Sequence, residues 1–287
     1  DTAMYVAKRR GRSRYEVFEP AMRDEALERE NLHEDLEKAV GRDELEVHYQ
    51  PVIDIPTGRL RGFEALVRWH NSTRGLLAPS QFIDLAEQTG LIVPIGAWVL
   101  HEACTQAVTW GEVAGDLTMA INVSARQLQD PGLVPTIAGA LRISGLEPAS
   151  LVVEITESAA VEVAEGAIER LHQLKALGVT LAIDDFGTGY SSLTYLRRFP
   201  VDQLKIDRSF VAEVATSSED RAIIASVIDL AHALGMSVVA EGVETEAQFC
   251  ALEAMGCDLA QGFRWRGPER AVGVDALVRE ERARALA

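Results

Sequence analysis

The chain has little of what most metal or thiol chemistry needs. Its three cysteines, Cys104, Cys250 and Cys257, form no CxxC pair. An odd, scattered set reads as reduced core thiols in a cytoplasmic setting, not as a disulfide frame or a zinc knuckle. The six histidines include no HxH, HExxH or His-Asp pair, which argues against histidine-rich zinc sites and His-Asp phosphohydrolase chemistry. Positive charge is scarce as well. Lys and Arg total 28 against 44 Asp and Glu, a net charge of −16. Such a surface repels long nucleic acid, whose binding needs phosphates neutralised, but not a small phosphodiester held by metal ions. No apolar run reaches the length of a membrane span, and no signal peptide opens the chain. Membrane contact is therefore not expected of this fragment. The first residue, Asp1, falls inside a helical pattern, as expected of a piece of a longer protein.

Hydrophobic residues make up 47% of the 287 residues, enough for one large domain with appendages. DTAMYVAKRR reads as a helix and GRSRYEVFEP as a turn into a strand, a unit too small to bury a core alone. Met22 to Val40 is charged, with Leu27, Leu32, Leu36 and Val40 at helical spacing, and reads as a solvated linker helix or a signalling helix.

From Glu44 onward the pattern is regular. Strand-like runs occur at LEVHYQPVI, LRGFEALVRW, LTMAINVS, LVVEIT, VTLAIDD, VDQLKID, MSVVAEG and CDLAQGF. From the second onward, helical patterns separate most of them, which predicts a TIM-like (β/α)8 barrel. Only DIPTGR joins the first two runs, too short for a parallel crossover, so those two strands pair antiparallel and one opposes the rest.

Chemistry in such barrels sits at the carboxyl ends of the strands. There the runs carry Glu64, Asn122, Glu154, Asp184 with Asp185, and Glu241. Taken singly, a carboxylate at a strand end is a helix cap or turn residue, and Asn122 is structural. By the same reasoning Gln261 before Gly262 is a turn residue, and Phe263 and Trp265 are packing. Recurrence at successive strand ends changes the reading, because buried carboxylates are costly unless they hold cations. The set is all hard oxygen, which suits Mg²⁺ or Mn²⁺, one or two ions. Two ions can clamp a phosphodiester and acidify a water. In LKID, Lys205 shares a face with Asp207, and an inward lysine needs anionic partners. Lys205 could stabilise developing charge or orient the attacking water. Glu241 could hold a metal or accept a proton, and Arg68, on the same face as Leu66, suits phosphate. FGTGYSS after Asp185 reads as a mobile loop over the site.

At these residues the chain resembles the EAL-domain cyclic di-GMP phosphodiesterases, from about Asn31 to Val278. The resemblance implies a TIM-like barrel with one antiparallel strand and hydrolysis of cyclic di-GMP to linear pGpG, lowering a bacterial second messenger, with Mg²⁺ or Mn²⁺. It implies metal ligation by Glu64, Asn122, Glu154, Asp184, Asp185 and Glu241, and catalytic roles for Glu64, Lys205 and Glu241. Gln50, Leu66, Arg68, Gln261 and Phe263 correspond to substrate-contacting positions. Glu157, the second Glu of EITE, corresponds to the anchor of the Phe186–Ser192 loop. The family's tyrosine after QG is Phe263 here, and Arg264, Trp265, Arg266 and Gly267 depart from its pattern, which touches affinity more than chemistry. The first 21 residues resemble the end of a GGDEF domain without its signature, so no cyclase activity is expected. The implied organisation is a GGDEF remnant over 1–21, a linker helix over 22–40, the EAL domain over 41–280 and a tail over 281–287. Implied partners are cyclic di-GMP, a second copy in a homodimer formed beside the Asp184–Ser192 loop, and upstream GGDEF or sensor domains. The competing reading is a catalytically weak receptor that signals through the Met22–Val40 helix. Receptors of this kind lose ligand or lysine positions, and none is lost here.

Overall fold

A turn too short for a crossover sets the direction of the first strand. In the computed structural model, which describes residues 20–162, 165–187, 196 and 198–285, β1 (Leu45–Asp54) ends where Asp54 accepts hydrogen bonds from the backbone N–H and the hydroxyl of Thr57. Gly58 then adopts a positive φ of 66° and the chain doubles back into β2 (Leu60–Asn71), antiparallel to β1. β1 is also antiparallel to the last barrel strand, so it is the reversed one.

The remaining barrel strands are parallel: β4 (Thr118–Asn122), β5 (Leu151–Thr156), β6 (Thr180–Phe186), β7 (Gln203–Ile206), β8 (Ser237–Ala240) and β9 (Leu259–Gln261). Together with β3 (Gly75–Leu77) and β10 (Glu269–Arg270) they form one ten-stranded sheet, and the β1–β2 pairing closes it. The closed wall is the expected barrel, with β3 and β10 added at its edges.

Alternation sends one set of side chains outward under the helices and the other into the lumen. Outward, Tyr49 and Phe63 pack on Trp110 of α3 (Ile92–Ala114), with ring centroids 4.8 and 4.4 Å apart. Inward, small residues meet: Ala120, Val152 and Ala182 form one cluster, and Val52, Val239 and Leu259 another. Polar residues occupy the lumen above them.

α1 (Pro20–Ala39) corrects the picture of a solvated linker. Leu27 is exposed, but Leu36 and Ala39 are fully buried against Leu45, Val67, Trp69 and Phe82. Its inner half therefore belongs to the barrel's packing. At the other end, α11 (Ala271–Ala285) runs through the segment expected to be a tail. Glu281 is buried there, accepting from Arg59 Nε at 2.6 Å and from Leu60 N at 3.1 Å. Cys104 and Cys257 are buried, whereas Cys250 is exposed, so only two of the three are core thiols. Residues 1–19 of the GGDEF-like segment and most of the FGTGYSS loop lie outside the described residues. Among those described, no helix is long and apolar enough to cross a membrane.

Candidate active site

Glu64 is in the middle of β2, not at its end. Parallel pairing with β4 covers Gly62 to Ala65, and beyond that β2 continues as a ribbon with β1 and β3. Glu64 thus stands where the closed wall gives way to the mouth. Asn122 is level with Glu154 across β4 and β5, and its Nδ2 donates to Glu64 Oε1 at 2.7 Å. Its Oδ1 is then the ligand atom on offer.

Asp184 and Asp185 pose a geometric problem. Consecutive strand residues face opposite sides of a sheet. Here the β6–β7 register shifts between Ile183 and Phe186, and Asp185 takes a left-handed φ of 54°. The bulge turns the second carboxylate back toward the first. Oxygens of Asp184, Asp185 and Glu241 consequently lie within 4.8 Å of one another, a grouping able to hold a metal ion. A non-glycine residue in that region costs about 1–2 kcal/mol, a strain of the kind found at functional sites.

Lys205 is the centre of the lumen, 1% exposed. Its Nζ is 2.7 Å from Glu154, 2.7 Å from Glu241, 3.1 Å from Asp184 and 3.7 Å from Glu64. Burial opposes its charge, but the surrounding carboxylates hold its pKa well above the usual lysine value. One ammonium cannot neutralise four carboxylates. Burial drives Glu154 well above the usual carboxylate range, and drives Glu241 up to about 8 despite Lys205. Burial and the neighbouring Asp184 and Asp207 raise Asp185. Glu64 is lowered, because Lys205, Gln261 and Asn122 outweigh its burial. The excess of negative charge and the all-oxygen donors fit a divalent cation.

Gln261 is no turn residue. It is buried in β9, and its Nε2 bonds Glu64 Oε2 at 2.7 Å and Glu241 Oε1 at 3.0 Å, tying opposite sides of the mouth. Gly262 follows because any Cβ there would collide with the backbone of Val243. Phe263, a packing residue if taken singly and a substrate-contacting position by the resemblance, is 67% exposed. Behind it Arg264 stacks on Phe249 and Trp265, its guanidinium carbon 4.4 and 5.0 Å from the ring centroids, which gives the departing segment a built structure. Glu157 Oε2 accepts from Gly187 N at 3.1 Å, and its buried Oε1 has no hydrogen-bond partner among the described residues.

Gln50 lies directly opposite Glu64, and Arg68 opposite Glu46, on the mouth side of the β1–β2 ribbon. Leu66 borders a cavity of about 400 Å³ beside Glu64 and Asn122, lined also by Pro79, Ile83 and Asp84. The sequence reading missed Ile83 and Asp84, since an apolar residue and an acidic one in the first turn of a short helix look like core and cap. It also missed Asp207, which was placed on the face of Lys205 without a role. A third omission is the rim group Glu46, His48, His70 and Arg270. No motif marks it, because β10 is too short to register as a strand.

A barrel whose strand ends converge as carboxylates around one buried lysine presents an all-oxygen site able to hold a divalent cation. The family model described as "EAL domain" matches residues 33–268. The bifunctional diguanylate cyclase/cyclic di-GMP phosphodiesterase MucR of Pseudomonas aeruginosa is 48% identical over 264 residues, covering 92% of this chain and 38% of that protein. The cyclic di-GMP phosphodiesterase PdeR of Escherichia coli is 40% identical over 275 residues, covering 96% of this chain and 42% of that protein. A solved structure of the Pseudomonas MucR phosphodiesterase in complex with c-di-GMP superposes with a TM-score of 0.81 at 47% identity, over 85% of this chain and 99% of that one. The chain belongs to the EAL domain family. It spans well under half the length of these two full-length relatives.

Proposed function

We propose that the chain hydrolyses cyclic di-GMP to linear pGpG, with Mg²⁺ or Mn²⁺ at the carboxylate cluster. The observation that carries this is Lys205, buried among Glu64, Glu154, Asp184 and Glu241 beside the Asp184–Asp185–Glu241 oxygens. The ion, or pair of ions, would be held by Glu64, Asn122, Glu154, Asp184, Asp185 and Glu241. Bound there, it would supply Lewis-acid polarisation of the scissile phosphate and acidification of the attacking water.

The chain's own groups supply the rest. Lys205 Nζ offers positive charge where negative charge develops on the phosphoryl oxygens, in a site dry enough for that charge to count. Gln261 and Asn122 hold Glu64 in place through their amide hydrogens. Glu241 would either help hold the ion or accept a proton from the water. The water oxygen attacks phosphorus in line, the bond from phosphorus to the 3′ oxygen breaks, and that oxygen leaves as a hydroxyl, taking its proton from solvent. The cavity beside Leu66 receives one guanine, Phe263 offers an exposed face for stacking, and Gln50 and Arg68 contact the nucleotide. Glu157 anchors the loop after Asp185 through Gly187.

A homodimer assembled beside that loop, a cytoplasmic setting and input from upstream domains through α1 belong to the same reading. The packing of Leu36 and Ala39 supports the last. The test is incubation with cyclic di-GMP and Mg²⁺ or Mn²⁺ followed by chromatography. The expected product is pGpG; binding without it sinks the hydrolase reading and leaves a receptor.

A further inference from the structure

The mouth has a cationic wall of which the chemistry so far uses only Gln50 and Arg68. In the β1–β2 ribbon, Gln50 is opposite Glu64, His48 opposite Leu66 and Glu46 opposite Arg68, while β10 sets Arg270 opposite His48. By alternation these side chains, and His70, share the face of Glu64. His48, His70 and Arg270 converge on Glu46. Arg270 Nη2 is 2.5 Å from Glu46 Oε2 and 2.9 Å from His70 Nε2. His48 Nε2 is 2.8 Å from Glu46 Oε1, and its Nδ1 is 3.2 Å from the Pro268 carbonyl. His48 thereby ties the wall to the segment that follows Phe263.

Glu46 is mostly buried, whereas the Arg270 side chain is 61% exposed. These contacts engage only Nη2, and a guanidinium has five N–H donors in a planar fork. The two Nη1 N–H groups at the exposed end of the side chain are left to meet an oxyanion, while Glu46 holds Nη2 from behind. Arg270 is level with His48, two residues along β1 from Gln50, or about 7 Å up the wall from the level of Glu64.

The substrate chemistry calls for such a group. A cyclic dinucleotide carries two phosphodiesters of equal charge, and only one can sit at the carboxylate cluster. The other must be held near a site crowded with carboxylates, inside a protein of net charge −16.

Resting on the cyclic-dinucleotide reading above, we infer that Arg270, braced by Glu46 and His70, binds the non-scissile phosphodiester and so determines affinity for cyclic dinucleotides. Recognition there is of charge, not of the base.

The test compares wild type with Arg270→Ala and Arg270→Lys in steady-state assays with cyclic di-GMP at several salt concentrations. A lost charge-assisted contact at an exposed site is expected to raise KM about tenfold in Arg270→Ala with kcat held, and less in Arg270→Lys. The rise of KM with salt should be shallower in Arg270→Ala, because one phosphate contact is gone. Titration calorimetry with cyclic di-GMP and with its adenine analogue should show equal fold losses. An unchanged KM, or a melting temperature lowered without a KM effect, would make the Glu46–Arg270 pair purely structural and overturn the proposal. A loss confined to guanine would overturn it too, by assigning Arg270 to the base edge. If the wild type binds without turnover, the hydrolase reading fails while the calorimetry still decides the role of Arg270. If it binds no cyclic dinucleotide, both fail.

Discussion

The two sides of the barrel mouth are built from opposite chemistry. The parallel arc from β4 to β8 brings Asn122, Glu154, Asp184, Asp185 and Glu241 to the mouth around Lys205, with Glu154, Asp184 and Lys205 buried. The ribbon of β1, upper β2 and β10 brings Arg68, Arg270, His48 and His70, with Glu46 as the carboxylate they share. The arc is buried and negatively overcharged, the condition for seizing a divalent cation. The ribbon is half-exposed and cationic, the condition for meeting an anionic ligand without a large desolvation cost. Reversing one strand produces this division. It lifts an antiparallel ribbon above the closed wall, where side chains can face a substrate instead of a core.

The sharpest way to break the comparison is to remove the centre of the arc. Lys205→Ala is expected to lower kcat by about 10²–10³-fold. It should also destabilise the metal-free protein by about 3–5 kcal/mol, because buried carboxylates lose their counter-charge. Urea unfolding with chelator present measures the second effect, and an unchanged kcat would remove the role given to the lysine. Glu64→Ala should abolish pGpG formation in the same chromatographic assay.

Glu157→Ala acts one step further out. Loss of the Gly187 contact is expected to reduce kcat or metal affinity by about 10–100-fold, the usual scale for groups that orient metal ligands. Activity titrated against Mn²⁺ would show it. On the ribbon, Arg68→Ala should raise KM about tenfold with a much smaller change in kcat. If kcat fell as much as with Lys205→Ala, the division between arc and ribbon would be wrong.

The smallest effect concerns acidity. Glu241 and Asp185 have raised pKa values in the folded chain, Glu241 up to about 8. Between the ordinary carboxylate range and pH 8 the folded state therefore binds more protons than the unfolded one, and stability falls as pH rises. Chelated protein should melt at lower temperature at pH 8 than at pH 5.5. Mg²⁺ should flatten the slope, since a cation takes the place of the protons. Thermal denaturation by circular dichroism, with and without chelator, reads both arms. A slope that Mg²⁺ leaves untouched would place the titrating groups outside the metal cluster.

Much of this was legible along the chain, because strands and helices write their burial into period. The eight apolar runs named all eight barrel strands. The link around Thr57 and Gly58 foretold the reversed strand, since so few residues cannot cross a sheet face. The ligand types of the arc were legible too, each carboxylate closing or interrupting an apolar run. The ribbon was not. Glu46, His48 and His70 alternate with core residues in a pattern any half-exposed strand would show, and Arg270 lies about 220 residues from His48, joined to it only by β10. Taken singly, Gln261 looked like a turn because a polar residue before glycine usually is one, and only the family resemblance marked it as a site residue. The lumen alone makes it a bridge between two carboxylates.

Local sequence thus carried the architecture and the donor set: apolar period, a short first link, and hard-oxygen residues at strand ends, each following from nearest-neighbour physics. Barrel closure settled the rest. It placed Lys205 within 2.7 Å of both Glu154 and Glu241, residues separated from it by 51 and 36 positions. The bulge at Asp185 turned two consecutive carboxylates to one side against ordinary alternation. Pairing of β10 with β1 brought Arg270 to the mouth. These are long-range contacts whose partners no local pattern announces, because they exist only once the sheet has met itself.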